Sequence, residues 1–439
     1  MRSVTFKKSR HLSGSILVPG DKSISHRALI LAACSVGRVQ IKNLLESLDI
    51  QQTMEALKAM GISIHKKTNG TYVVNGLSTA GFMEPKKHLD MGNSGTSIRL
   101  LMGLVSSLPI KCMFVGDDSL SKRPMKRVIF PLKEIGADIE ARKENFLPLS
   151  IIGAKNPMPI NYKMSVPSAQ VKSAILLSAL NIDGITSIVE SEKTRDHTEL
   201  MMRYLGAKIK IINSKGKREI IMHGQPILKT KEIFIPGDIS SAAFLLVAAI
   251  ITPKSKIVIK NVGLNPLRMG FYKTLKEMGA KIKITEKKKI AGEVIGNIEA
   301  RSSKLRGVKI PAKRAPSMID EYPIISIAAA CAKGKTLMRG LDELRLKESD
   351  RIKMIEKNLK KCGIIANVKF NKLEITGCAN GTINGGTKID PGSDHRIAMS
   401  FAILGLKTEK PISIINPKTI NTSFPNFIKI IKKLRGEIK

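Results

Sequence analysis

Apolar residues recur along this chain in two patterns that alternate and repeat. In the first, a turn of glycine, proline and small hydroxyl residues runs into a nearly unbroken string of small apolar residues. The six copies are PGDKSISHRALILAA from Pro19, GNSGTSIRLLMGLV from Gly92, VPSAQVKSAILLSAL from Val166, IPGDISSAAFLLVAAI from Ile235, APSMIDEYPIISIAAA from Ala315 and DPGSDHRIAMSFAILGL from Asp390. Strings this continuous predict helices buried nearly all round, not amphipathic surface helices. In the second pattern an amphipathic helix ends at a glycine and period-two alternation follows. These copies are LKAMGISI, LKEIGADIEA, MRYLGAKIKI, LKEMGAKIKI, LKKCGIIANV and KKLRGEIK, around Gly61, Gly136, Gly206, Gly279, Gly363 and Gly436. Each glycine is a natural left-handed C-cap, and the alternation after it predicts a strand.

Successive glycines lie 70–84 residues apart, so the chain reads as six units, each a β-α-β-α-β-β set of elements. That period is too long for a solenoid. The turn Val18-Pro19-Gly20-Asp21, with Ser23, returns 217 residues later as Ile235-Pro236-Gly237-Asp238, with Ser240. We therefore expect an α/β protein of two similar three-unit lobes. One comprises residues 20–236; the other joins residues 1–19 to residues 237–439. A cleft between lobes is the expected place for a ligand site.

Composition narrows the class. With 439 residues and 43% apolar content the chain can build real cores. No apolar run has the length of a membrane span, and the opening MRSVTFKKSRHLSGSILVPG lacks the apolar core of a signal peptide. A cytoplasmic protein away from membranes is expected. The five cysteines, Cys34, Cys112, Cys331, Cys362 and Cys378, show no CxxC spacing and suggest neither disulfides nor zinc; Cys34 and Cys331 read as small core residues. The net charge of +38 invites a nucleic-acid reading. Yet the basic residues are dispersed, aromatics make up 4% and tryptophan is absent, which argues against a base-stacking platform. A positive field would instead steer anionic metabolites.

Candidate chemistry gathers at the turns, where unpaired backbone N–H groups and the helix dipole favour anions. The first turn offers Lys22, Ser23 and Arg27; the second offers Gly95, which lets a phosphate approach the backbone, and Arg99. SLSKRPM adds Arg123, the third turn Ser168 and Gln170, and EKTRDHTELM Arg195. In the second half, carboxylates Asp320 and Glu321 open a helix, RLKESDR holds Lys347, Glu348 and Arg351, and SDHR holds Arg396. Each has a plainer reading. Arg99, Arg127 and Arg345 read as surface salt bridges, Asp320 and Glu321 could complement a helix N-terminus, and His26, His197 and His395 could be caps or supporting groups. The histidine spacing suggests no metal site.

Taken together, PGDKSISHRALILAA, GNSGTSIRLLMGL, SKRPM, PSAQVKSAILLSAL, TRDHTELM, PSMIDEYPI, RLKESDRI and DHRIAMSFAILGL resemble the 5-enolpyruvylshikimate-3-phosphate synthase family over essentially the whole chain, in its class II branch. The resemblance implies two inside-out α/β barrel lobes that close on their substrates. It also implies enolpyruvyl transfer from phosphoenolpyruvate to the 5-hydroxyl of shikimate 3-phosphate, without cofactor, as a step of aromatic amino-acid synthesis; we expect a monomer. It assigns Lys22, Ser23, Arg27, Ser168, Ala169, Gln170, Arg195, Asp320 and Lys347 to shikimate 3-phosphate. Lys22, Gly95, Arg123, Gln170, Arg351 and Arg396 go to phosphoenolpyruvate, and Asp320, Glu348 and Lys22 carry the proton transfers. Glu343 and Thr422 stand where the better-known branch has an asparagine and a lysine, and Arg195 falls where it uses serine and tyrosine. Gly95 leaves room for glyphosate. The UDP-N-acetylglucosamine enolpyruvyl transferase is the nearest alternative, but the loop before Arg123 lacks the cysteine that enzyme carries, and Ser23 replaces its asparagine. The motifs of RNA 3′-phosphate cyclases are not found.

Overall fold

The computed structural model describes residues 3–214, 217–378 and 382–439. The six apolar strings form helices Lys22–Ala33, Gly95–Val105, Ala169–Ser178, Ile239–Ile251, Tyr322–Ala330 and His395–Gly405. Five start on a side-chain cap. The oxygens of Asp21, Ser94, Ser168, Asp238 and Asp394 accept from the backbone N–H of Ile24, Ser97, Val171, Ser240 and Arg396 at 2.9, 3.2, 3.4, 3.0 and 2.9 Å. Such a cap satisfies one of the orphan donors of the first turn. The Tyr322 helix lacks a side-chain cap and begins instead with a proline, Pro323, in its first turn.

Burial follows the pattern of the strings. All thirteen residues of Ile239–Ile251 are buried. Truncating Leu245, wholly buried there, would cost about 2–5 kcal/mol through lost transfer energy and the cavity left behind. Gly103 allows the Gly95 and Ala169 helices to touch, since a β-carbon there would lie 2.3 Å from the Ala174 carbonyl oxygen.

The second helices, such as Lys126–Glu134 and Arg351–Lys361, are amphipathic and lead into hairpins. Gly61, Gly136, Gly206, Gly279 and Gly363 take positive φ, as expected of C-caps. In the last copy the left-handed residue is Arg435, at φ 69°, and not Gly436. Gly436 is needed for space there: a β-carbon would lie 2.4 Å from Ile431 Cγ2.

Each repeat builds a small sheet of one plan. A short strand lies parallel to a longer one, which runs antiparallel to the far strand of a hairpin; Leu89–Asp90, Lys111–Val115, Phe146–Ile152 and Asp138–Arg142 are one such row. At the two Pro-Gly turns the short strands are exchanged. Ser13–Leu17 precedes the Lys22 helix but pairs in parallel with Lys256–Gly263. Ile233–Phe234 precedes the Ile239 helix but pairs with Val36–Lys42. The final sheet is completed by Ser3–Phe6, antiparallel to Ile412–Ile415 and bridged by Phe6 to Ile438.

The chain divides into two compact units. The first comprises Gly20–Ile235 and Lys289–Glu293; the second comprises Pro236–Lys288, Val294–Lys439 and the N-terminal stretch through Pro19. Each has its own hydrophobic core. Lys289–Glu293 is the tip of the hairpin formed by Lys281–Ile290 and Glu293–Arg301. Among the described residues no helix is long and apolar enough to cross a membrane, and no group of histidine, cysteine and carboxylate side chains could hold a metal ion. The five cysteines are free; Cys34 is buried, whereas Cys331 is only half-buried, at the rim of its core.

Candidate active site

In the first unit, the openings of three buried helices are tied together by polar side chains. Lys22 Nζ lies 2.8 Å from Asp49 Oδ2, with both side chains partly exposed. Arg27, one helical turn on, is buried. Its Nε donates to Thr198 Oγ1 at 2.7 Å, Nη1 to the Ser23 carbonyl at 2.8 Å and Nη2 to Ser173 Oγ at 2.7 Å. All three acceptors are uncharged. Burial pushes the Arg27 pKa down to about 10, and nearby Arg195 adds to the shift against the opposing pull of Glu199 and Asp21. A buried cation without a carboxylate in contact is an incompletely compensated charge, and a bound anion would offset that cost.

The second opening repeats this arrangement. Arg123 is buried and donates to the Asn93 carbonyl at 3.3 Å, to Asn93 Oδ1 and to Ser119 Oγ at 2.9 Å, again uncharged acceptors. Its Nε is buried without a hydrogen-bond partner. Gly95 lies against this group, because a β-carbon there would fall 3.3 Å from Arg123 Nη1 and 2.7 Å from Arg99 Nη1. Arg99 Nη1 bonds to the Gly95 carbonyl at 2.9 Å and to Gln170 Oε1 at 3.0 Å, and Gln170 Nε2 donates to Thr96 Oγ1 at 3.0 Å. Arg99, partly buried, therefore joins the second and third openings. Ser168 and Ala169 precede Gln170 at the third opening and are partly exposed, as is Arg195.

His26 supports this framework. Its Nδ1 lies 2.7 Å from Thr53 Oγ1, which meets Ser97 Oγ at 2.7 Å, and Ser97 Oγ meets Ser94 Oγ at 2.6 Å. Burial, then the charges of Lys22 and Arg27, hold the imidazole well below its ordinary pKa, so it is neutral. His197 Nδ1 pairs with Glu293 Oε1 at 2.6 Å, with Glu293 contributed by the hairpin tip. Both histidines act as supports.

The second unit's cluster is built the opposite way. Arg351, 1% exposed, puts Nε 2.8 Å from Asp394 Oδ2, Nη2 2.5 Å from Glu348 Oε2 and Nη1 3.4 Å from Asp320 Oδ1. Burial alone would depress its pKa; the carboxylates of Asp394, Glu348 and Asp320 overcome that and raise it. Arg396 Nε lies 3.8 Å from Asp320 Oδ1, and its Nη1 donates to the Asp320 carbonyl at 3.4 Å. Asp394 is the hub. Besides capping the His395 helix it accepts from Ser349 Oγ at 3.1 Å and from Arg351. Burial lowers the Lys347 pKa, against Asp320, with Arg351 adding to the shift and Glu348 and Glu343 opposing it. Lys347 and Glu343 thus share the field of this cluster.

Asp320 and Glu348 side chains are 17% and 18% exposed, so two carboxylates are oriented by one buried guanidinium and still reach solvent. Neither Asp320 nor Glu321 caps the Tyr322 helix. Glu321 is instead buried against Ser240 Oγ, 3.5 Å from Arg268 Nη2. Thr422 Oγ1 is engaged by the Thr419 carbonyl at 2.8 Å. Arg345 makes the expected surface pair, 3.0 Å from Asp350.

Sequence reasoning missed Asp49, Asp394, Ser173 and Thr198. Asp394 had a signal, because an N-cap aspartate two residues before an arginine, at the opening of a buried helix, is placed to meet a cation. Asp49 had none, being one polar residue of an amphipathic helix.

Comparison with known proteins agrees along the entire chain. Residues 6–431 match the family described as EPSP synthase (3-phosphoshikimate 1-carboxyvinyltransferase). The 3-phosphoshikimate 1-carboxyvinyltransferase of Paramagnetospirillum magneticum is 46% identical over 439 residues, covering 100% of this chain and 98% of the relative. That of Zymomonas mobilis is 46% identical over 436 residues, covering 99% and 96%. The EPSP synthase of Acinetobacter baumannii superposes with a TM-score of 0.87 at 40% identity, covering 100% and 99%. The enolpyruvyl transferase NikO of Streptomyces tendae, 18% identical with a TM-score of 0.80 over 100% and 98%, shares the fold.

Proposed function

The chain belongs to the EPSP synthase family, and from that premise we propose how its residues divide the reaction. The enzyme transfers the carboxyvinyl group of phosphoenolpyruvate to the 5-hydroxyl of shikimate 3-phosphate and releases phosphate. The UDP-N-acetylglucosamine transferase alternative is a matter of related fold only.

In our reading Lys22, Ser23, Arg27, Ser168, Ala169, Gln170 and Arg195 hold shikimate 3-phosphate, with Asp320 and Lys347 directed at its hydroxyls. Lys22, Gly95, Arg123, Gln170, Arg351 and Arg396 hold phosphoenolpyruvate. Arginine forks suit carboxylate and phosphate oxygens, which they bind in pairs. Asp320 takes the proton of the 5-hydroxyl as that oxygen bonds to the substituted carbon of phosphoenolpyruvate. Glu348 delivers a proton to the methylene carbon, which becomes a methyl group, and a tetrahedral ketal forms. Phosphate then leaves as the methyl group loses a proton and the double bond returns. Lys22 balances charge and can relay a proton.

One observation carries the assignment: Arg351 orients Asp320 and Glu348 together, at 3.4 and 2.5 Å, while both stay partly open to solvent. Two fixed carboxylates are what paired proton transfers require. The test is phosphate release from phosphoenolpyruvate with and without shikimate 3-phosphate, run beside Asp320→Ala. Release should need the shikimate substrate and collapse in the variant; full activity in the variant would remove Asp320 from the mechanism. We further place the enzyme in the cytoplasm as a monomer acting on small molecules and not on nucleic acid. The dispersed charge and few aromatics speak against nucleic acid; light scattering would check the monomer and a polynucleotide titration the absence of nucleic-acid binding.

A further inference from the structure

Arg195 lies in a stretch without regular secondary structure, between Glu190, which ends a strand, and the helix His197–Tyr204. A guanidinium on such a loop is only as well placed as the loop is held. Here the flanking residues are tied down in succession. Thr194 donates from its backbone N–H to Glu190 Oε1 at 3.4 Å and from Oγ1 to Glu190 Oε2 at 2.8 Å, and its carbonyl accepts from Lys172 Nζ at 3.3 Å. Asp196 Oδ2 pairs with Arg218 Nη2 at 3.3 Å, and Arg218 Nη1 reaches Glu190 Oε1 at 3.1 Å. Thr198 Oγ1 receives Arg27. Lys172 Nζ forms ion pairs with Glu199 Oε1 at 2.8 Å and with Glu190 Oε2 at 3.2 Å.

Glu190 is the common member. It grips Thr194 on one side of Arg195 directly and Asp196 on the other through Arg218. The Lys172 and Glu190 side chains have no exposed surface. Lys172 also interrupts the apolar string AQVKSAILLS, where a hydrophobic residue would have filled the same space. Buried ion networks are often no more stabilising than apolar replacements, so bulk stability is a weak account of this one. We propose that Glu190 is a positioning residue for shikimate 3-phosphate, acting through the Thr194–Asp196 segment to fix the Arg195 guanidinium. This rests on the reading that Arg195 holds that substrate.

The test is a double-mutant cycle read by calorimetric titration of shikimate 3-phosphate into the full-length enzyme, with steady-state kinetics and melting temperatures alongside. Glu190→Gln should weaken binding roughly tenfold, the scale of coupling within one network. The phosphoenolpyruvate KM and kcat should stay within about twofold, as expected when only substrate-holding interactions are lost. In an Arg195→Ala background the same substitution should add nothing. Thr194→Val, which removes one hydroxyl and leaves every charge in place, should show a smaller effect with the same dependence and serves if Glu190→Gln does not fold. Equal losses in both backgrounds would overturn the proposal, as would a lowered melting temperature with unchanged affinity. Unchanged binding in Arg195→Ala alone would instead remove the reading of Arg195 on which it rests.

Discussion

Both units present buried arginines near helix openings, yet they neutralise them differently. In the first unit Arg27 and Arg123 donate to hydroxyls, an amide oxygen and backbone carbonyls. In the second, Arg351 and Arg396 contact Asp394, Glu348 and Asp320. The consequence appears in the opposite displacements of two buried guanidinium groups: Arg27 is pushed down and Arg351 up. A guanidinium on neutral acceptors keeps its charge for a ligand. On carboxylates its charge is largely balanced, and it also aims them. Within one repeat architecture, the choice of acceptor separates an arginine whose charge is left open from one that orients carboxylates as well; in the proposed function both kinds meet substrate.

The largest effect expected from breaking this contrast is on turnover. Asp320→Asn keeps the shape and removes the proposed base, and should lower kcat by about 10²–10⁴-fold, the usual contribution of general acid–base catalysis. Arg27→Ala should act on binding, raising the shikimate 3-phosphate dissociation constant by roughly 10–150-fold, from about 1.5–3 kcal/mol for hydrogen bonds to a charged group. Gly95→Ala sharpens the contrast within the first unit. Its β-carbon meets the movable ends of Arg99 and Arg123, so the strain should fall near about 1 kcal/mol, at the low end of overpacking, and raise the phosphoenolpyruvate KM about fivefold. Glyphosate should inhibit the parent at concentrations comparable to that KM and the variant far less; an inhibition constant far above the parent's KM would contradict the role of Gly95.

The smallest effect tests the neutral support under the first cluster. The His26 pKa is lowered in the folded state, so below about pH 6.5 the unfolded chain takes up a proton that the folded chain refuses. The stability contributed is therefore present above that pH and is lost as pH falls. Melting temperatures between about pH 7 and 5 should decline less steeply in His26→Gln than in the parent.

The buried helices were legible because each is announced locally by a turn, a capping residue and an unbroken apolar string. The repeated Pro-Gly turn led to the expectation that residues 1–19 join the second lobe, but the return strand carries almost no local signal: Ile233–Phe234 is two residues long, too short for any alternation. The reach of Glu293 to His197, 96 residues away, is likewise silent. At the site, the residue types were readable in the motifs, but their partners were not. Nothing near Arg27 distinguishes it from Arg351 in sequence; what separates them is Ser173 and Thr198 in one case and Asp394 in the other, all distant in the chain. For Arg99, helical spacing alone did not show that Gln170, from another helix, would meet it.

The division of labour is tested most directly by measuring shikimate 3-phosphate affinity and kcat on the same preparations of Arg27→Ala and Asp320→Asn. The account predicts a crossed result, with affinity falling more in the Arg27 variant and turnover falling more in the Asp320 variant. Parallel losses of affinity and turnover in both variants would contradict it.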